Sequence, residues 1–168
     1  MKFIYDLETN GLNSIENRIT CISLLNIEHD TPISFYGESE PNILKQFWNA
    51  IKDSEELIGW NSNAFDWIFL IHRSLIHKIK LPENWDKIIL TDIKKIVNQF
   101  FICYNNKIHG TLSEWSVHLG LGRKENSGEE MVEAYKKKDW KTIKKHCEND
   151  VIITKALWQR CNDIGLIK

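Results

Sequence analysis

The first residues contain the feature that most constrains this chain, an apolar strand that ends in two carboxylates. Phe3, Ile4 and Tyr5 form a short and nearly all-apolar run, which is typical of a strand buried on both faces. Asp6 and Glu8 follow, and residues i and i+2 of a strand point to the same side. Because such carboxylates repel each other and lose hydration, a divalent metal ion usually compensates them. On this stretch alone, solvated strand-end charges are an equal alternative.

Length and composition are those of an ordinary folded domain. The chain has 168 residues, of which 42% are hydrophobic and 27% are charged, and these values argue against a disordered chain. We therefore predict one domain over residues 1–168. The formal net charge of -1 excludes a global basic character of the kind that marks many nucleic-acid-binding proteins. An anionic substrate would have to be bound locally, by metal ions or by a basic patch.

The cysteines and the hydropathy pattern predict a cytoplasmic protein. Cys21, Cys103, Cys147 and Cys161 are scattered, with no Cys-x-x-Cys pair, so we expect reduced thiols rather than a structural zinc site. No apolar run reaches the length of a transmembrane helix. The N-terminus lacks a basic region followed by a long apolar stretch, so we expect neither a signal peptide nor contact with a membrane.

Hydrophobic periodicity predicts three strands, then alternating helices and strands, and finally helices. The short connections between the first three strands favour antiparallel hairpins. This order predicts an α/β fold with a central mixed five-stranded sheet and helices on both faces. After the first strand, the expected strands cover residues 18–25, 31–36, 57–60 and 85–90, and the expected helices cover residues 40–51, 64–77, 92–103, 111–119, 128–137 and 140–162, with a loop at 123–127.

A further acidic side chain follows the strand predicted at residues 57–60. Residues 61–63 read Asn-Ser-Asn, break that strand and can cap the next helix. Asp66 falls in the first turn of this helix. In mixed α/β sheets, sites gather where strands end and helices begin, so Asp66 could reach the edge that holds the first two carboxylates. A favourable interaction with the helix dipole is the alternative role.

A third stretch places His146 and Asp150 four residues apart in the last predicted helix. Residues i and i+4 share one helix face, and Asp150 lies just before an apolar run, close to the core. A carboxylate with an imidazole one turn away suits a metal ligand beside a general base. Taken alone, an exposed His–Asp pair would be the simpler interpretation. Glu148 points elsewhere on the helix and is expected to be solvated.

Together the three stretches resemble motifs I, II and III of the DEDD 3′–5′ exonucleases, the DnaQ-like branch of the RNase H-like fold. The closest resemblance is to the exonuclease domain of family-B DNA polymerases, and it spans nearly the whole chain in order and spacing. Residues 110–122 and 140–146 also look like the segments before motif III in that family. The three motifs are here Asp6-Leu7-Glu8 followed by Thr9-Asn10-Gly11, Gly59-Trp60-Asn61-Ser62-Asn63-Ala64-Phe65-Asp66, and His146-Cys147-Glu148-Asn149-Asp150.

The resemblance implies an RNase H-like, metal-dependent 3′–5′ exonuclease that releases nucleoside 5′-monophosphates. Asp6, Glu8, Asp66 and Asp150 would bind two Mg²⁺ or Mn²⁺ ions. One ion would help to generate hydroxide from water, with His146 taking the proton, and the other would stabilise the leaving 3′-oxygen. These four carboxylates and His146 are the expected catalytic residues.

One position departs from the resembling branch. Four residues before the last aspartate, the family-B polymerases carry Tyr, whereas this chain carries His146. The other main branch carries His, but five residues before the aspartate. A general-base role of His146 is therefore expected from its spacing to Asp150 and is not simply inherited from the motif.

The resemblance also implies contacts to the substrate. By position, Thr9 matches a residue that touches the terminal nucleotide through its backbone, and Leu12 matches an apolar wedge against the terminal base. Asn61 and Phe65 match residues near the scissile end. The expected partner is the free 3′ end of single-stranded DNA or RNA. The choice between the two stays open because no motif reports contact with the 2′-hydroxyl group.

Two further groups of residues are weaker candidates for binding nucleic acid. A run of lysines precedes motif III and could attract phosphates, although a solvated helix face explains them as well. Trp60 and Trp67 flank motif II and could stack on bases, although core packing is an equally ordinary role. The lysines are Lys136, Lys137, Lys138, Lys141, Lys144 and Lys145.

Two alternatives to a stand-alone exonuclease stay open. A nucleic-acid- or protein-binding module on a catalytically decayed nuclease fold would account for His146 in place of Tyr, although all four acidic positions are retained. A proofreading or processing subunit of a larger complex would account for the lack of a polymerase domain in this sequence. The nearly neutral charge predicts a weak grip on nucleic acid and low processivity. The sequence does not indicate an oligomeric state.

Overall fold

The structure, a computed structural model, describes residues 1–98, 110–121 and 128–167 and has a mixed five-stranded sheet at its centre. The strands are β1 Lys2–Thr9, β2 Ile19–Asn26, β3 Ile33–Tyr36, β4 Glu56–Gly59 and β5 Ile89–Asp92. They lie in the order β3-β2-β1-β4-β5. The five-stranded sheet predicted from the sequence is confirmed.

Strand directions bring three chain turns to one edge of the sheet. β1 is antiparallel to β2, and β2 is antiparallel to β3, which confirms the predicted hairpins. β1 is parallel to β4, and β4 is parallel to β5. The carboxyl ends of β1, β4 and β5 therefore meet at one edge, which we call the carboxyl edge.

Helices cover both faces of the sheet, as the sequence predicts. Their bounds are α1 Glu40–Ala50, α2 Asp66–Ile76, α3 Ile93–Val97, α4 Leu112–His118, α5 Gly128–Lys136 and α6 Trp140–Asp163. α1 and α2 share one apolar cluster with the sheet, and α3, α4 and α6 share the cluster on the other face. α5 packs against α6.

The central strand β1 is buried on both faces because its side chains alternate between the two clusters. Tyr5 and Leu7 pack in the cluster of α1 and α2, whereas Ile4 packs in the cluster of α6. The prediction of a strand buried on both faces is thus confirmed. By the same alternation, Asp6 and Glu8 point toward the α6 face.

Several predicted element boundaries are wrong in the structure. α2 begins at Asp66, and its N-cap residue Phe65 makes no side-chain capping bond, so the predicted cap by residues 61–63 does not form. Instead, the turn is closed by the main chain, where Trp67 N donates to Ser62 O at 2.9 Å. β5 begins at Ile89 because a 3-10 turn occupies Trp85–Lys87, where the sequence predicted strand.

The predicted cap of α4 is confirmed. Thr111 and Glu114 form a reciprocal capping box, which satisfies two N–H groups at the helix start. Gly120 follows α4 with a φ of 66°, a left-handed conformation that glycine adopts without steric cost. Cys103, residues 99–103 of the helix predicted at 92–103, and the loop predicted at residues 123–127 lie outside the described residues.

Two features relate to the sequence-based predictions about reduced thiols and membrane contact. Cys21, Cys147 and Cys161 are buried free thiols. Within residues 1–98, 110–121 and 128–167, no helix is long and apolar enough to cross a membrane.

Candidate active site

Four carboxylates and one imidazole meet at the carboxyl edge of the sheet. Asp6 and Glu8 lie at the end of β1, and Asp66 opens α2, which follows β4 in the chain. His146 and Asp150 lie on α6, which packs across β1 and β2. The structure therefore brings together every catalytic residue that the sequence predicted, from three distant segments.

Glu8, His146 and Asp150 form one compact group. One potential ligand atom from each lies within 4.8 Å of the others, and His146 Nδ1 is 2.7 Å from Glu8 Oε1. His146 is 3% exposed and Asp150 is 2% exposed. The alternative of an exposed His–Asp pair is therefore wrong, because the pair lies inside the contact between α6 and β1.

Asp6, Glu8 and Cys147 form a second group, again with one ligand atom from each within 4.8 Å of the others. Cys147 Sγ donates to Asp6 O at 3.3 Å and lies 3.7 Å from Asp6 Oδ2. Burial raises the pKa of the Cys147 thiol well above its usual value, and Cys21 and the two carboxylates act in the same direction. Cys147 is therefore a neutral donor that helps to orient Asp6.

Asp66 is the fourth carboxylate and is tied directly to β1. Its Oδ1 accepts a hydrogen bond from Leu7 N at 3.1 Å. Burial raises the pKa of Asp66 to about 8, and the charges of Glu8 and Asp92 add to the rise, against the lowering effect of main-chain hydrogen bonds from Asp66 and Leu7. The ionised form of Asp66 thus needs a nearby cation to be favourable.

The donor set at this edge fits divalent metal ions. Carboxylate oxygens dominate it, and Mg²⁺ and Mn²⁺ prefer such hard ligands. The two groups share Glu8, so neighbouring ions could use one common ligand. A cation bound here would lower the raised pKa of Asp66, because its charge would oppose the effect of burial.

Asn61 adopts a left-handed backbone conformation, and two residues that the sequence-based predictions did not single out form hydrogen bonds with it. Its φ is 60°, in the left-handed region, which asparagine adopts more readily than most other non-glycine residues. Asn61 N donates to Asp92 Oδ1 at 3.0 Å, and Asn61 Oδ1 accepts from Lys94 Nζ at 3.1 Å. Asp92 is paired in register with Gly59. Asp92 ends a parallel strand and directly precedes a helix. This position could have identified it from the sequence as a candidate site residue.

The other predicted substrate contacts lie around the same edge. Thr9 Oγ1 donates to Gly11 O at 2.6 Å and stabilises the turn after β1. Leu12 is 85% exposed, as an apolar wedge would have to be. Phe65 is half-buried and packs on Phe69, with ring centroids 4.8 Å apart.

The lysine run and the two tryptophans have ordinary partners. Lys138 pairs with Glu38 at 2.6 Å, and Lys136 pairs with Glu133 at 2.5 Å, which neutralises part of the run. Trp60 packs on the α6 cluster. Trp67 lies in an aromatic group with Trp48 and Trp85 and is partly buried, so its position favours packing over base stacking.

Glu148, which was expected to be solvated, is partly buried and accepts a hydrogen bond from Ser34 Oγ at 2.8 Å.

The sheet, its flanking helices and the acidic edge define an RNase H-like domain of the type found in family B DNA polymerases. The family B DNA polymerase from the hyperthermophilic archaeon Pyrobaculum calidifontis superposes on 98% of this chain with a TM-score of 0.80 and 16% sequence identity. This chain spans 25% of that polymerase chain. Because the identity is so low, the likeness shows the shared fold.

The sequence comparisons identify the family within this class. A family model described as a predicted 3′–5′ exonuclease related to the exonuclease domain of PolB matches residues 12–165. The chain belongs to this family. An uncharacterized protein from Methanocaldococcus jannaschii is 33% identical over 179 aligned residues, which cover 99% of this chain and 98% of that protein.

Proposed function

We propose that this protein is a metal-dependent 3′–5′ exonuclease that releases nucleoside 5′-monophosphates from single-stranded nucleic acid. The observation that carries the proposal is the convergence of Asp6, Glu8, Asp66, His146 and Asp150 at one sheet edge. Family membership supports the reaction type. Residues 1–168 would act as one catalytic domain.

The four carboxylates would hold two Mg²⁺ or Mn²⁺ ions. Asp6, Glu8, Asp66 and Asp150 supply the oxygen ligands that such hard cations prefer. When bound, the ions would polarise the phosphoryl group and stabilise charge on the attacking and leaving oxygens. In turn, positive charge would relieve the repulsion among the carboxylates.

His146 would accept the proton of the attacking water at Nε2. Its Nδ1 lies 2.7 Å from Glu8 Oε1, and a carboxylate partner on one ring nitrogen orients the imidazole and raises the basicity of the other nitrogen. A general base must also be held within reach of the proton that it removes. The burial of His146 between α6 and β1 supports such a fixed position.

The terminal nucleotide would bind at the turn after β1 and the turn before α2. Leu12 is exposed enough to wedge against the terminal base, and the main chain at Thr9 would contact the terminal nucleotide. Asn61 and Phe65 would contact the neighbouring scissile end. The hydrogen bonds of Asn61 to Asp92 and Lys94 support this role, because they hold its backbone and its side chain in place.

The direct test is cleavage of 5′-end-labelled single-stranded DNA and RNA, each with Mg²⁺ and with Mn²⁺, resolved on a gel. We expect stepwise shortening from the 3′ end, loss of activity with a chelator, resistance of a strand blocked by a bulky 3′ group, and no effect of a 5′ block. Asp6→Asn is the matched inactive control. Cleavage by Asp6→Asn at the wild-type rate, or efficient cutting of a covalently closed single-stranded circle, would contradict the proposal.

A second candidate is the same activity within a polymerase or processing complex. The observation that favours it is the match to one quarter of a polymerase chain, in which the polymerase domain is part of the same polypeptide. Co-purification of the tagged protein with a polymerase or nuclease partner would support this role. Recovery of the protein alone at full specific activity would favour the stand-alone enzyme.

A further inference from the structure

A second basic feature lies at the end of α2 remote from the candidate active site. α2 starts at the carboxyl edge with Asp66, and the segment after its last residue, Ile76, lines an open groove of about 560 Å³ together with the end of α1. The floor includes the apolar side chains of Ile79 and Leu81. We call it the lysine groove because it is lined by Lys45, Lys52, Lys78 and Lys80.

The lysine groove carries uncompensated positive charge. None of its four lysines forms an ion pair with any residue in the described parts of the chain, in contrast to Lys136 and Lys138. Glu83 is the one acidic residue among those lining the groove, and it does not pair with the lysines. In a chain of net charge -1, such a local concentration of cations favours binding of a polyanion.

Lys78 is held in this groove at a conformational cost. Its φ is 53°, and it occupies the position after the α2 C-cap where glycine is usual. The surrounding hydrogen bonds are those of a Schellman motif, with Lys78 N donating to Leu75 O at 3.2 Å and Ile79 N donating to Ser74 O at 2.9 Å. This motif fixes the backbone from which the Lys78 side chain extends.

Four exposed apolar residues, which we call the apolar stripe, lie on α2 and on the loop that packs against it, between the candidate active site and the lysine groove. The stripe consists of Ile15 on the loop after β1 and three residues of α2, and Leu75 and Ile15 are 78% and 68% exposed. The loop is fixed against α2 because Ser14 Oγ lies 2.8 Å from His72 Nδ1 and Arg73 Nη1 donates to Ile15 O at 3.0 Å. The members of the stripe are Ile15, Ile68, Leu75 and Ile76.

We propose that the apolar stripe and the lysine groove form a track for single-stranded nucleic acid, with bases on the stripe and phosphates in the groove. The direction of the strand rests on the proposed function, because Ile15 follows three residues after Leu12, where the terminal base would lie. α2 has 11 residues and so is about 16 Å long. At a stacked rise of about 3.4 Å per nucleotide, this length corresponds to roughly five nucleotides.

The track explains how a nearly neutral protein can hold its substrate, and it makes binding dependent on length. Affinity should rise with strand length up to about six nucleotides and then level off, because shorter strands end before Lys78. Each phosphate contact that a lysine makes to a single strand contributes about -0.7 to the slope of log K against log salt. Loss of two such contacts lowers the affinity about 25-fold at 0.1 M salt, relative to 1 M salt where the contacts contribute nothing.

The experiment measures binding without cleavage. A fluorescent 12-nucleotide strand and a dinucleotide are titrated against Asp6→Asn protein in a chelator at several salt concentrations, with Lys45→Gln, Lys78→Gln and the double substitution added. For the 12-mer, each substitution should reduce the salt slope by about 0.7, whereas dinucleotide binding should not change. Arg160→Gln is the matched control, since Arg160 is exposed on α6 across the sheet.

Lys78→Gly separates the role of the side chain from damage to the fold. Glycine relieves the left-handed strain at this position, so the Lys78→Gly variant should melt at a higher temperature than the Asp6→Asn protein. Its salt slope for the 12-mer should still fall by about 0.7, the contribution of one phosphate contact. The track would be overturned if the lysine variants kept the salt slope of the Asp6→Asn protein, or if the Asp6→Asn protein bound no 12-mer. It would also be overturned if polyglutamate competed with the 12-mer while the lysine substitutions left 12-mer binding unchanged. This experiment does not measure cleavage. A wild-type protein without nuclease activity would therefore contradict the proposed function but would not affect the test of the track.

Discussion

His146 Nδ1 lies 2.7 Å from Glu8 Oε1, although 138 positions separate the two residues in the sequence. The contact joins α6 to the end of β1 and is buried. Glu8 thereby belongs to the carboxylate cluster and also fixes the imidazole ring. This dual role makes His146 the most informative residue to change.

His146→Ala should lower the single-turnover rate at saturating metal by roughly 10²- to 10⁴-fold, the usual range for one positioned acid–base group. Only the neutral imidazole accepts a proton, so the wild-type rate should climb with pH as His146 loses its proton. His146→Ala should lose this rise. The measurement is a pH–rate profile under single-turnover conditions, with circular dichroism to verify folding.

His146→Tyr should restore part of the lost rate and shift the pH dependence upward, because Tyr titrates near about 10 and His near about 6.5. Tyr is also the residue that the resembling polymerase branch carries at this spacing. If His146→Ala retains the wild-type rate and profile, the histidine is structural and takes no part in proton transfer.

Asp66→Asn should abolish detectable cleavage and stabilise the metal-free protein at alkaline pH. Since the folded pKa is raised to about 8, folded protein keeps a proton that the unfolded chain loses near about pH 4. The stability that Asp66 contributes is therefore full below that pH and is lost as the pH rises toward 8. Asn cannot ionise, and its side-chain oxygen can still accept from Leu7 N.

Thermal melts in a chelator check this expectation. Wild type and Asp66→Asn should melt most alike near pH 4, and the variant should melt progressively higher as the pH rises to 8 and remain higher at pH 9. Added Mg²⁺ should raise the melting temperature of the wild type more than that of the variant. Asp53→Asn, a change at an exposed carboxylate, serves as the control. Equal pH dependence of the two metal-free proteins would show that Asp66 is not a strained carboxylate.

Glu40→Gln should destabilise the fold by about 3 kcal/mol at pH 7, the lower end of the range for breaking a buried ion pair. Glu40 Oε2 accepts from Arg73 Nη2 at 2.7 Å, and Glu40 Oε1 accepts from Ile19 N at 2.7 Å. Burial alone raises the pKa of Glu40, but the bonds from Arg73, Ile19 and His77 outweigh it and hold this pKa below its usual value.

The stability contributed by Glu40 has the opposite pH dependence to that of Asp66. Because its folded pKa is lowered, the contribution is present above the unfolded value of about 4.3 and is lost as the pH falls through the folded pKa. Urea midpoints should therefore differ most between wild type and Glu40→Gln at neutral pH and converge below about pH 4. A gap that persists unchanged at pH 3 would mean that the carboxylate charge is not the cause. Glu28→Gln, at an exposed turn, is the control.

Lys94→Ala should raise KM on the order of five-fold with little change in kcat. Lys94 Nζ donates to Asn61 Oδ1 at 3.1 Å, and one hydrogen bond contributes about 1 kcal/mol. Without this bond, the Asn61 side chain is no longer fixed in the orientation in which we propose that it contacts the substrate. Steady-state kinetics on a short oligonucleotide measure the effect, with Lys95→Ala on the same helix as control. Equal KM values for Lys94→Ala and wild type would remove Asn61 from the list of substrate contacts.

The sequence by itself determined the kinds of elements and the identity of the chemical groups. The apolar run of Phe3, Ile4 and Tyr5 predicted a buried central strand, and the spacing of Asp6 and Glu8 predicted that they share a face. These conclusions held because side-chain direction within one strand or helix depends on local backbone geometry. The same reasoning predicted that His146 and Asp150 share a face of α6.

Only the tertiary structure decided which of these local features meet. The pairing of His146 with Glu8 depends on the register of α6 against β1, and no local pattern encodes that register. The hydrogen bond from Asn61 N to Asp92 Oδ1 depends on the parallel pairing of β4 with β5. The lysine groove collects residues from the end of α1 and the segment after α2. Such contacts arise from collective packing of the whole core, in which each side chain is placed by neighbours that are distant in sequence.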